Sequence, residues 1–99
     1  MIPAVILPVI RRAILDLLTD IGGEHNDDTL SMLLVQLGHR VARRDVADQL
    51  RWLADDGEAP LVKVELLGPY LVARALPDGR DVAEGRLIVE GVSRHKTGE

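Results

Sequence analysis

Ninety-nine residues with a formal charge of −4, 46% hydrophobic and 28% charged, describe one globular domain, a chain that buries about two-thirds of its unfolded surface. Cysteine is absent, which excludes disulfides, thiolate metal sites and cysteine nucleophiles and suits a cytoplasmic setting. Trp52 and Tyr70 are the only aromatic residues, too few for a base-stacking platform.

The opening "MIPAVILPVI" is apolar but short and interrupted by two prolines, so it reads neither as a membrane span nor as a signal peptide. Ile10, Ala13, Ile14, Leu17, Leu18 and Ile21 then form one apolar stripe at helical spacing. The first helix is expected over residues 8 to 21, with Pro8 in its first turn, Arg12 facing Asp16, and Gly22-Gly23 as its stop. "GGEHNDDT" reads as a loop in which Asn26 or Asp27 caps a second helix, whose Leu30, Leu33, Leu34 and Leu37 carry the core spacing before Gly38 ends it.

A third helix is expected over residues 42 to 56, stopped by Gly57, with Val41 and Val46 as a staple and Asp45 near its positive end. Ala42 is a poor cap, costing about 1 kcal/mol against Ser or Thr. Val46, Leu50 and Leu53 face inward, and Arg44, Asp48, Arg51 and Asp55 share the opposite face. From Pro60 the period changes to two, with Val62, Val64 and Leu66 on one face of a strand. "GPY" then turns the chain. A type I turn over residues 68 to 71 pairs Leu67 with Val72 and Glu65 with Arg74, whereas a two-residue turn would set Lys63 against Arg74, like charge against like. Pro77 starts a short helix around residues 78 to 85, and residues 93 to 99 are expected to be a mobile tail beyond a domain of residues 1 to 92.

Three helices followed by a hairpin make a winged helix-turn-helix, mainly α with a two-stranded wing. The stretches "RRAILDLL", "GHRVARRDVADQLRWLADDG" and "LPDGRDVAEGR" resemble small ArsR-like winged-helix proteins, particularly those of Mu-like transposable phages and prophages, over about residues 10 to 92. The resemblance implies that "ARRDVADQLRWL" is a recognition helix and "LVKVELLGPYLVARAL" a wing. The chain lacks the cysteines of the metal sensors in that family, and its wing turn "LLGPY" carries no Arg or Lys.

Charge along the chain is segregated. Residues 38 to 54 carry four Arg and two Asp, whereas residues 16 to 28 hold five acids and no Lys or Arg. The expected function is therefore double-stranded DNA binding, as a transcriptional regulator, through Arg40, Arg43, Arg44 and Arg51, with Gln49 as a base reader. Ile2, Val5, Ile6 and Leu7 either cover the core or form a homodimer seam, and Trp52 packs on the wing strands or anchors a partner. The alternative function is a non-catalytic protein-interaction module in a larger assembly. His25, His39 and His95 have no metal-ligand spacing, no nucleophile elbow or phosphate loop is present, and no cofactor or catalysis is expected.

Overall fold

The structure is a computed structural model and describes residues 2–55 and 60–96. Within these the chain is α+β: four α-helices, α1 Leu7–Ile21, α2 Asp27–Gln36, α3 Arg43–Ala54 and α4 Pro77–Ala83, around a three-stranded antiparallel sheet of β1 His25–Asn26, β2 Val62–Leu67 and β3 Tyr70–Ala75. A 3-10 turn, Ala4–Ile6, precedes α1. The end expected for the third helix, at Gly57, lies outside the described residues.

Helix ends follow the chemistry of their residues. Asn26 accepts from the Thr29 amide at 2.7 Å and caps α2. At its other end Gly38, at φ +96°, lets its own amide reach Val35 O and that of His39 reach Leu34 O, a Schellman stop that releases the chain into a short turn toward α3. Ala42 offers α3 no side-chain cap. Asp45 supplies the missing half by accepting from the Ala42 amide at 2.9 Å.

The core joins Ile10, Ile14, Leu15 and Leu18 of α1 to Leu30 and Leu34 of α2, Val46, Leu50 and Leu53 of α3, and Leu61, Val62, Leu71, Ala73 and Val82. Helix α1 is buried on more than the expected stripe: Leu15 is fully covered because α4 packs beside it, whereas Ile21, at the helix end, is half exposed. Leu37 lies outside the core. It follows the last residue of α2, at the turn to α3, and is 54% exposed, as the helical spacing had already stopped positioning it.

The sheet differs from expectation twice. Its order is β1-β3-β2, because the loop before α2 contributes a two-residue edge strand that pairs His25 with Ala73 and Asn26 with Val72. The hairpin register is the rejected one, Leu67 opposite Tyr70 and Lys63 opposite Arg74. Gly68 at φ +59°, followed by Pro69, whose ring forbids positive φ, fits a two-residue II′ turn, the hand that matches strand twist. The two registers differ by two residues and keep the same faces inward, so burial does not choose between them. Turn geometry outweighs one screened, exposed charge pair.

The chain after α4 folds back over α1. Arg12, nearly fully buried, donates to Ala83 O, Ser93 O and Arg94 O at 2.9 to 3.1 Å and pairs with Asp16 at 3.0 Å. The Ser93 amide donates to Pro8 O at 3.0 Å, and Lys96 reaches Asp20 at 3.6 Å. Residues 93 to 96 are thus tied to α1, in place of the tail expected from residue 93, and residues 97 to 99 lie outside the described part.

Candidate nucleic-acid interface

Helix α3 buries Val46, Gln49, Leu50 and Leu53, the i, i+3, i+4, i+7 positions of one face. The opposite face carries Arg44, Asp48, Arg51 and Asp55, all exposed, so the helix stands on the core as its apolar spacing requires. Arg40, on the turn before it, is exposed too. Among the described residues, no hydrogen bond or ion pair engages the side chains of Arg40, Arg44 or Arg51, and these three guanidinium groups are open to solvent.

The other two expected DNA contacts are placed elsewhere. Gln49 is only 9% exposed, and its Oε1 accepts from Arg11 Nε at 2.8 Å. It joins α3 to α1 and does not face solvent as a base reader. Arg43 Nε pairs with Asp27 Oδ2 at 3.2 Å, its Nη2 donates to Pro69 O, and its guanidinium lies 4.7 Å from the Tyr70 ring centroid. It links the starts of α2 and α3 to the hairpin turn. A phosphate that drew Arg43 away from the core of the site would break this set of contacts.

Trp52 contacts α1 and the chain after α4. The Arg11 guanidinium stacks over its ring at 3.7 Å and also donates to Gly91 O at 3.1 Å, and a side chain built at Gly91 would stand 2.8 Å from the ring. Trp52 therefore packs on α1 and the C-terminal segment. Burial holds the Arg11 pKa below its ordinary value, which still leaves the group charged at neutral pH.

Of the apolar N-terminal residues, Ile2 packs against the core and Leu7 is half buried, whereas Val5 is 83% exposed and Ile6 partly so. Further exposed apolar side chains are Met32 and Val35 on the outer face of α2, and Leu66, Leu67 and Tyr70 at the hairpin tip. Leu66 shares the inward face with Val62 but lies beyond the core and is exposed. None of the described helices is long and apolar enough to cross a membrane.

The chain is 43% identical over 84 residues to the uncharacterized protein gp26 of Escherichia phage Mu, an alignment that covers 85% of this chain and 84% of the phage protein. The chain belongs to the gp26 family. No family model matches the sequence, and no solved structure matches it. In this gp26 relative, sequence reasoning missed the roles of Arg11, Asp27 and Tyr70. Arg11 and Trp52 lie on separate helices, and Asp27 and Arg43 start different helices, so neither contact leaves a periodic trace. The burial of Gln49, by contrast, was readable from its position between Val46 and Leu53 on the apolar stripe.

Proposed function

We propose that this gp26-family chain is a winged-helix DNA-binding protein, a cytoplasmic regulator in which α2 and α3 form the helix-turn-helix, α3 enters the major groove and β2 and β3 form the wing. The observation that carries the reading is the position of Arg44 and Arg51 on the exposed face of α3, with Arg40 on the turn before it, all three side chains without a hydrogen-bond or ion-pair partner among the described residues. The order of helix, edge strand, helix, turn, helix and hairpin supports the same reading. In a two-fold homodimer joined near Val5 and Ile6, two copies of α3 would reach successive turns of the groove.

Asp48 and Asp55 alternate with the two arginines, so this face of α3 carries no net charge and binding rests on few phosphates. Three contacts per protomer give a slope of log affinity against log salt of about −3, or roughly a 40-fold loss between about 50 and about 200 mM salt. Anisotropy titration of labelled duplex DNA tests this. Replacing Arg44 and Arg51 by Ala should lower the magnitude of the slope by about two, and a wild-type protein that binds no duplex at low salt ends the reading.

A second reading, a non-catalytic winged-helix module that docks a protein partner, draws support from the apolar hairpin tip, where Leu66 is 63% exposed beside Leu67 and Tyr70. A stoichiometric partner that survives nuclease treatment and is lost on Leu66→Ser and Leu67→Ser would favour it over DNA contact.

A further inference from the structure

The outer half of the hairpin has little to hold it. From Glu65 to Tyr70 every residue is exposed, β1 pairs with β3 only at Val72 and Ala73, and a two-stranded ribbon without a covered face is marginal by itself. Yet the side chains that join its tip to the helices converge on one carboxylate. Asp27 is buried at the first position of α2. Its Oδ1 accepts from the Asp28 amide at 3.0 Å and the Leu71 amide at 3.4 Å, and its Oδ2 receives Arg43 Nε at 3.2 Å. Arg43 Nη2 donates to Pro69 O in the turn, and the guanidinium lies over the face of Tyr70.

We infer that Asp27 and Arg43 form a clasp that fixes the hairpin tip to the first turn of α3, so that the tip and the arginines of α3 present one preformed surface. Arg43 is a positioning residue in this arrangement. A planar guanidinium meets a carboxylate, a carbonyl oxygen and a ring face in one fixed fork geometry, which a compact lysine ammonium does not preorganise. Asp27 is the fixed end, since two main-chain amides and the helix start already hold its carboxylate. The consequence for DNA rests on the winged-helix reading; the mechanical role does not.

Amide exchange measured by NMR on the whole chain tests the clasp. Asp27→Asn and Arg43→Gln should each speed exchange at Leu71 and Tyr70 about tenfold, as expected for a lost charge-assisted contact, while amides of Leu50 and Leu53 keep their protection. The double variant should exchange little faster than either single one, because both remove the same contact. Unchanged exchange at Leu71, or effects that add in the double variant, overturns the proposal. Should the Asp27 variant fail to fold, Tyr70→Leu removes only the ring contact, and unaltered exchange at the tip then counts against the clasp. If the wild-type chain binds duplex DNA, Arg43→Gln should weaken binding without changing its salt slope, whereas a slope lowered by about one would make Arg43 a phosphate contact and refute the positioning role. A wild type that binds no DNA removes the regulator reading and leaves the exchange result standing.

Discussion

Lys63 stands directly opposite Arg74 on the solvent face of the hairpin, one cation across from another. Like charges in a cross-strand pair are destabilising, so Lys63→Glu should raise stability by roughly 0.2 to 1 kcal/mol. Unfolding free energies of the two proteins from urea titration at low salt should differ by that amount. The gap should narrow in about 1 M salt, where the screening length falls to about 3 Å.

The same pair shows what the sequence could and could not tell. Period-two alternation located both strands and their inward faces, but both candidate registers keep those faces, and the choice fell to Gly68 and Pro69, where turn hand outweighs a surface charge. Helices α1 to α4 were legible because their apolar spacing, an Asn cap or a leading proline marks them. Edge strand β1 was not, since a two-residue pairing leaves no alternation. At the candidate interface, the exposed stripe of Arg44 and Arg51 follows from the wheel of α3 alone. The withdrawal of Arg43 depends on Asp27, Pro69 and Tyr70, which only the folded chain brings together.

Gly79 reverses the usual effect of a helical glycine. Replacement by alanine inside a helix ordinarily stabilises by up to about 1 kcal/mol. In α4, however, a Cβ at residue 79 would meet the main-chain oxygen of Leu61 at 2.1 Å and Leu15 Cδ2 at 3.3 Å. Gly79→Ala should therefore destabilise by about 1 to 3 kcal/mol, as overpacking does, and a thermal melt with an unshifted or higher midpoint would contradict the close approach of α4 to that strand entry.

Arg12 is the buried cation on which the end of the chain closes. Three main-chain oxygens and Asp16 share its guanidinium, so Arg12→Met leaves those acceptors short of donors in a covered site. A loss of about 3 to 5 kcal/mol is expected in denaturant unfolding. Exchange at the Ser93 amide, which donates to Pro8 O, should accelerate in step.

Asp16 gives that same junction a pH dependence. Burial pushes its carboxyl pKa above the ordinary value, with the nearby Asp20 adding to the rise, while the hydrogen bond and charge of Arg12 and the charge of Lys96 oppose it. The folded chain therefore holds this proton more tightly than the unfolded chain. Its contribution to stability is fullest below about pH 4 and declines as pH rises through the range just above that. Urea midpoints of the wild type and Asp16→Asn, compared from about pH 3 to about pH 6, should show the wild type gaining on the variant as the solution is acidified; the opposite trend would mean that the Arg12 pairing dominates.

Trp52 is the one tryptophan of the chain and reports the seating of the C-terminal segment. Its ring lies under the Arg11 guanidinium, 3.7 Å away, and beside Gly91, whose φ of +90° disfavours any side chain. A Cβ at residue 91 would stand 2.8 and 2.9 Å from two ring atoms, so Gly91→Ala has to push the segment off the indole. The emission of Trp52 should then shift to the red and become more accessible to iodide, and the Arg11 bond to Gly91 O should be lost with it. Far-UV circular dichroism should stay near the wild-type spectrum, because Leu50 and Leu53 still anchor α3 from the other side. An emission maximum identical to that of the wild type would show that the segment does not rest on Trp52 in solution.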